Sequence, residues 1–105
     1  MKEITATELK QKMDSGEPFQ LIDVREEHEF EAANLGGTLI PLATVLQNMD
    51  RIKKDGMVVV HCKAGARSAA AIMQLEAAGS YTNLYNLKGG ILTFAKEIDP
   101  SLQVI

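Results

Sequence analysis

The chain has 105 residues, 46% of them apolar and 24% charged, and carries a net charge of −3. That length predicts one domain, residues 1–105, with a small but sufficient core, and the acidic balance excludes the basic face of a non-specific nucleic-acid binder. A single cysteine excludes an internal disulfide and a cysteine-rich metal cluster, and His28 and His61 lack metal-motif spacing.

The opening "MKEITATELKQK" is polar and no apolar run approaches the length of a membrane span, so no signal peptide or membrane association is expected. A free thiol without such a leader fits a reducing, cytoplasmic setting. The first element is a helix. "TATE", Thr5 to Glu8, has the pattern of a capping box, and Leu9 and Met13 follow at helical spacing. "FQLIDV", Phe19 to Val24, reads as a strand opening after Gly16 and Pro18. "EEHEFEAAN", Glu26 to Asn34, is helix-prone and ends near Gly36-Gly37. Thr38 to Ile40 offers a very short strand, after which Leu42, Val45, Leu46, Met49 and Ile52 share one helical face, closed by Gly56.

"MVVVH", Met57 to His61, is continuous and β-branched, the composition of a central strand covered on both faces. The alanine-rich stretch Ser68 to Ala78 predicts a helix with Gly79 as its stop. "NLYNL", Asn83 to Leu87, predicts another strand, and Ile91, Phe94, Ala95 and Ile98 a final helix that Pro100 ends. Strands alternating with helices require helical crossovers between parallel strands. The expected fold is a three-layer α/β domain with a small central parallel sheet and helices on both faces. Ligands of such sheets bind beyond the carboxyl ends of the strands, where Cys62 lies.

"CKAGARS", Cys62 to Ser68, links a strand to a helix. Gly65 permits a sharp turn with positive φ. The backbone N–H groups of Lys63, Ala64, Gly65, Ala66, Arg67 and Ser68 can then converge as an anion-binding nest, helped by the positive end of the following helix. Lys63 and Arg67 add full charges. A thiol at the base of this ring titrates below its usual value and is expected to be an accessible thiolate. The plainer reading, a small apolar residue at a strand end, needs neither the glycine turn nor the two cations.

"LIDVREEHEFEAANLGGTLIPL" and "VVVHCKAGARSAAAIMQLEAAGSYTNLYNLKGGI" together resemble the signature stretches of the rhodanese family of sulfurtransferases over Leu21 to Ile91. The resemblance implies that Cys62 attacks the outer sulfur of a donor such as thiosulfate, becomes a persulfide and passes the sulfur to cyanide, a thiol or a protein. No cofactor or metal is implied. The alternative is a sulfur-relay, persulfide-binding module served by protein partners, and, with less support, a non-catalytic scaffold. A phosphatase or arsenate reductase also uses a cysteine loop. The phosphatase loop is one residue longer, however, and four residues separate Cys62 from Arg67 here.

Arg67 has two candidate roles, donor attraction in the pocket or a tie to Asp23 or Glu29; the tie is favoured because bidentate arginine commonly joins elements. Lys63 is the better candidate for direct attraction of an anion. Asp23 and Arg25 are expected to stiffen the site wall. Ser68 caps the helix or donates to the sulfur. His61 points to the opposite face of its strand and is a poor base for Cys62. Ala33-Asn34-Leu35 replaces the family's usual Gly-His-Ile, and Phe94 its frequent tryptophan. Neither departure touches the loop.

Overall fold

The structure, a computed structural model, describes residues 1–105. Its sheet has five strands, β1 (Glu3–Ile4), β2 (Gln20–Asp23), β3 (Thr38–Leu39), β4 (Val58–His61) and β5 (Leu84–Leu87). They lie in the order β1-β5-β4-β2-β3, and every pairing is parallel. β4 is central, with Leu21 opposite Val59 on one side and Tyr85 opposite Val59 on the other.

Strand alternation divides β4 between two apolar layers. Val58 and Val60 pack with Ile22, Leu84 and the inner face of α3 (Ala66–Gly79), where Ala71, Ile72 and Leu75 are buried. Val59 packs on the opposite side with Leu9 of α1 (Ala6–Ser15) and Phe94 of α4 (Gly90–Glu97). All three valines are fully buried, each contributing about 1.5–3 kcal/mol of apolar transfer. The three-layer arrangement expected from the alternating elements is therefore present, and no helix is long and apolar enough to cross a membrane.

Local signals account for most boundaries. At the start of α1, Thr5 Oγ1 accepts from Glu8 N–H at 3.1 Å while Glu8 Oε1 accepts from Thr5 N–H at 2.9 Å, the reciprocal pair of a capping box. The short α2 (Glu27–Ala32) ends where Asn34 Nδ2 donates to Phe30 O and Asn34 Oδ1 accepts from Gly36 N–H, which bends the chain toward β3.

Four expectations are corrected. β1 reads as polar leader in the sequence, yet its two residues complete one edge of the sheet beside β5. The expected helix over Leu42 to Ile52 is instead two 3-10 helical segments, Leu42–Thr44 and Leu46–Arg51, and Leu46 is exposed. Side chains there compete with backbone ladders: Thr44 Oγ1 donates to Pro41 O and Asn48 Nδ2 to Thr44 O, and Asn48 leaves helical geometry at φ −116°. The third helix begins at Ala66 rather than Ser68. Finally, Gly79 is not the left-handed stop; Ser80 takes that conformation at φ 56°. Gly79 serves close approach, because a Cβ there would lie 2.3 Å from Met49 Cε and 2.6 Å from Tyr81 Cε2.

Candidate active site

β4 ends at His61 and the chain turns at once into the loop Cys62 to Gly65 that precedes α3. The turn is shaped from the far side by α4. The N–H of Ile91 donates to Cys62 O and that of Leu92 to Lys63 O, both at 3.0 Å. Those amides belong to the first turn of α4, where helix donors have no partner of their own. Fastening the carbonyls outward turns the N–H of each following residue the other way, since the two groups of a trans peptide point oppositely. Gly65, at φ 116°, completes the turn, and its N–H donates to Cys62 Sγ at 3.1 Å. The approach of α4 requires Gly90: a Cβ there would stand 2.3 Å from Lys63 O and 2.7 Å from Cys62 O.

The thiol is held below its ordinary pKa. Burial pushes it up, and the hydrogen bonds from the Ser68 hydroxyl and the Ser68, Gly65 and Ala64 amides outweigh burial. The expectation of an accessible thiolate is corrected in one respect: Cys62 is only 1% exposed and packs in the apolar layer of α3. Its neighbours Ala64 and Ala66 are exposed.

Ser68 and Asn86 form the floor. Ser68 Oγ lies 3.3 Å from Cys62 Sγ, 3.1 Å from Gly65 O and 2.5 Å from Asn86 Oδ1, and Asn86 Nδ2 donates to Gly65 O at 3.2 Å. Both residues are buried. Asn86 is a functional-site residue that no motif in the sequence marks. The one available signal was a polar residue at the second position inward from the end of an apolar strand, where the layer beneath α3 should be hydrophobic.

The charged residues separate into two groups. Arg67 makes a two-pronged pair with Glu29, Nη1 to Oε1 at 2.6 Å and Nη2 to Oε2 at 2.9 Å, tying α3 to α2. The Arg67 guanidinium holds the Glu29 carboxyl at about 2, against a smaller opposing push from burial. Asp23 does not reach Arg67. It pairs with the fully buried Arg25, Nη2 to Oδ2 at 2.8 Å, and Arg25 also donates to Glu29 O and Ala33 O, so the pair staples β2 to α2. His61 is fully buried with Nε2 3.6 Å from Asp23 Oδ2 and no hydrogen bond on either ring nitrogen. Burial pushes its pKa down, against the attraction of Asp23. Its place in β4 puts it on the face away from Cys62. Lys63 is half-buried and forms no ion pair.

Such a ring can stabilise a sulfur anion and a one-atom adduct on it. Asp23, the candidate acid for a phosphate leaving group, is sealed beneath Arg25.

A family model described as a rhodanese-like domain matches residues 5–97. The chain is 33% identical over 97 residues to a protein named sulfurtransferase from Allochromatium vinosum, covering 91% of this chain and 90% of that one. It is 34% identical over 102 residues to the probable adenylyltransferase/sulfurtransferase MoeZ of Mycobacterium tuberculosis, covering 94% of this chain but spanning only 26% of MoeZ. Among solved structures, a rhodanese-like domain protein from Staphylococcus aureus superposes with a TM-score of 0.83 at 31% identity, over 100% of this chain and 99% of that one.

Proposed function

The chain belongs to the rhodanese-like family of sulfurtransferases, and from that premise we propose that Cys62 is its sulfur carrier, with thiosulfate as a competent small donor. The observation that carries the proposal is the Gly65 N–H aimed at Sγ from 3.1 Å, in a loop whose carbonyls are fastened outward. In the first half-reaction the Cys62 thiolate attacks the outer sulfur of thiosulfate. A bond forms from Sγ to that sulfur, the donor's sulfur–sulfur bond breaks, and sulfite departs with the electron pair. In the second, cyanide or a thiolate attacks the outer sulfur of the persulfide and the thiolate of Cys62 is released. The amides of Lys63 to Ser68 hold the negative charge through both halves, an oxyanion-hole arrangement applied to sulfur. Lys63, with no carboxylate partner, draws the donor anion. Arg67, Glu29, Asp23 and Arg25 hold the wall.

A protein donor or acceptor is the second reading. It is favoured by the burial of Cys62 and by the likeness to MoeZ, whose name joins sulfurtransferase to adenylyltransferase. Intact-mass spectrometry separates the two. Thiosulfate is expected to add the mass of one sulfur atom, cyanide to remove it, and Cys62→Ser to abolish the gain. A free thiol that gains nothing from thiosulfate yet takes sulfur from a protein persulfide would establish the relay. A thiol that takes sulfur from neither would overturn both.

A further inference from the structure

We propose that Asn86 is a positioning residue for Cys62: its side-chain amide competes with the sulfur for the one proton of the Ser68 hydroxyl. The inference rests on the reading of Cys62 as the reactive thiol and adds a control on its ionisation.

Three acceptors surround Ser68 Oγ: Asn86 Oδ1 at 2.5 Å, Gly65 O at 3.1 Å and Cys62 Sγ at 3.3 Å. A hydroxyl has one proton to give. The shortest contact, between two oxygens, requires a proton between them, and the amide oxygen has none, so the proton is that of Ser68. The amide cannot present nitrogen to Ser68 in this arrangement, because Nδ2 is donating to Gly65 O at 3.2 Å. Ser68 is fully buried and Asn86 6% exposed, so an unmet oxygen there is costly.

In the thiol state every group is served: Cys62 S–H donates to Ser68 Oγ, and the Ser68 hydroxyl donates to Asn86. Ionisation releases the thiol proton to solvent and leaves Sγ in need of a donor. The Ser68 hydroxyl then rotates to the sulfur and Asn86 Oδ1 loses its partner; turning the amide over would only set Oδ1 against Gly65 O, acceptor to acceptor. Gly65 O, which accepts from both Ala69 N–H at 3.1 Å and Asn86 Nδ2 at 3.2 Å, holds the amide in its present orientation. Asn86 therefore sets how freely Ser68 supports the thiolate.

The charged neighbours are unaffected by a change at Asn86. Lys63 follows Cys62 in the loop without an ion pair, and Arg67 at the start of α3 is bound to Glu29 of α2. His61, Asp23 and Arg25 cluster beyond the sheet's other face. The first turn of α4 has no ionisable side chain, Lys96 and Glu97 lying at its far end, and Tyr85 of β5 faces the layer of α1.

The experiment is the pH midpoint of Cys62, read from thiolate absorbance or from the rate of iodoacetamide alkylation, in the unsubstituted chain, Asn86→Ala, Ser68→Ala and the double variant. Asn86→Ala is expected to lower the midpoint by about one pH unit, the order of one hydrogen bond to a charged group. In the Ser68→Ala background it is expected to cause no shift. An unchanged or raised midpoint in Asn86→Ala, or the same shift with and without Ser68, overturns the proposal and leaves Asn86 as a brace for Gly65. Should Asn86→Ala not fold, the Asn86 side-chain amide resonances of the unsubstituted chain must titrate with the Cys62 midpoint; signals that stay still overturn it equally. No sulfur donor enters these measurements, so a chain that takes no sulfur from thiosulfate still answers the question about Asn86.

Discussion

Arg67 influences the sulfur without bonding to it. Its guanidinium is raised in pKa first by the hydrogen bond to Glu29, against burial, with Coulombic support from Glu29 and from Cys62. A lysine would keep the charge and lose the planar fork. Arg67→Lys is therefore expected to lower stability by about 1 kcal/mol, the modest value reflecting that the pair is partly solvated, while the thiosulfate concentration for half-maximal persulfide formation stays nearly unchanged. Chemical denaturation and the mass assay check the two halves. An undisturbed fold with strongly weakened donor use would move Arg67 into the pocket. The sequence narrows the Arg67 partner to Asp23 or Glu29, and separating them needs the pair distances, since both carboxylates sit near the loop. Asn86 is less legible still: 24 positions beyond Cys62 in the chain, it meets Ser68 only because β5 and β4 are neighbours.

Among the elements, α4 is the one whose placement the loop chemistry depends on. Its first amides fasten two loop carbonyls, and the glycine pair before it lets the backbones approach. The two glycines are unequal. A Cβ at Gly90 meets backbone, Lys63 O at 2.3 Å, whereas one at Gly89 meets Thr93, with Oγ1 at 2.1 Å and Cβ at 2.7 Å, one turn into α4 and away from the loop carbonyls. Both have positive φ, a strain of about 1–3 kcal/mol for another residue. Gly90→Ala is expected to destabilise beyond that strain and to slow alkylation of Cys62 at neutral pH. Gly89→Ala is expected to cost the strain plus the contact with Thr93, yet to leave the alkylation rate closer to normal than Gly90→Ala does. Thermal melting and iodoacetamide kinetics distinguish them. The "KGG" stretch marks a turn before a helix to any reader of the sequence; that the helix's free amides point at the cysteine loop is a tertiary fact. The segment Leu42 to Ile52 shows the opposite failure. Its apolar spacing is helical, but the Thr44 and Asn48 side chains bond to backbone carbonyls and break it into 3-10 turns.

For the whole molecule, acid acts first through His61 and then through the carboxylates Glu29 and Glu8, the latter depressed by its hydrogen bonds with Thr5. The pKa of His61 is depressed by burial from 6.5. The unfolded chain therefore binds a proton there before the folded one does, and stability is full above pH 6.5 and falls as pH drops below it. Glu29 is depressed from 4.5 to about 2, so the stability it contributes is present above pH 4.5 and is lost as pH falls toward 2. A denaturant midpoint followed against pH should decline in these two windows, and His61→Phe should flatten the first while leaving the second. A first decline that persists in His61→Phe would assign it to another group.

By itself the sequence determined the layered α/β order, because alternating strand and helix periods admit few topologies. It also determined the position of the cysteine loop, because a glycine, two cations and a helix start within seven residues are a local pattern. The tertiary structure alone decided that Cys62 lies beneath the surface, that Arg67 meets Glu29, and that Asn86 and the amides of α4 surround the loop. Those contacts join residues far apart in the chain. Their geometry is set by sheet order and helix packing, which no local pattern encodes.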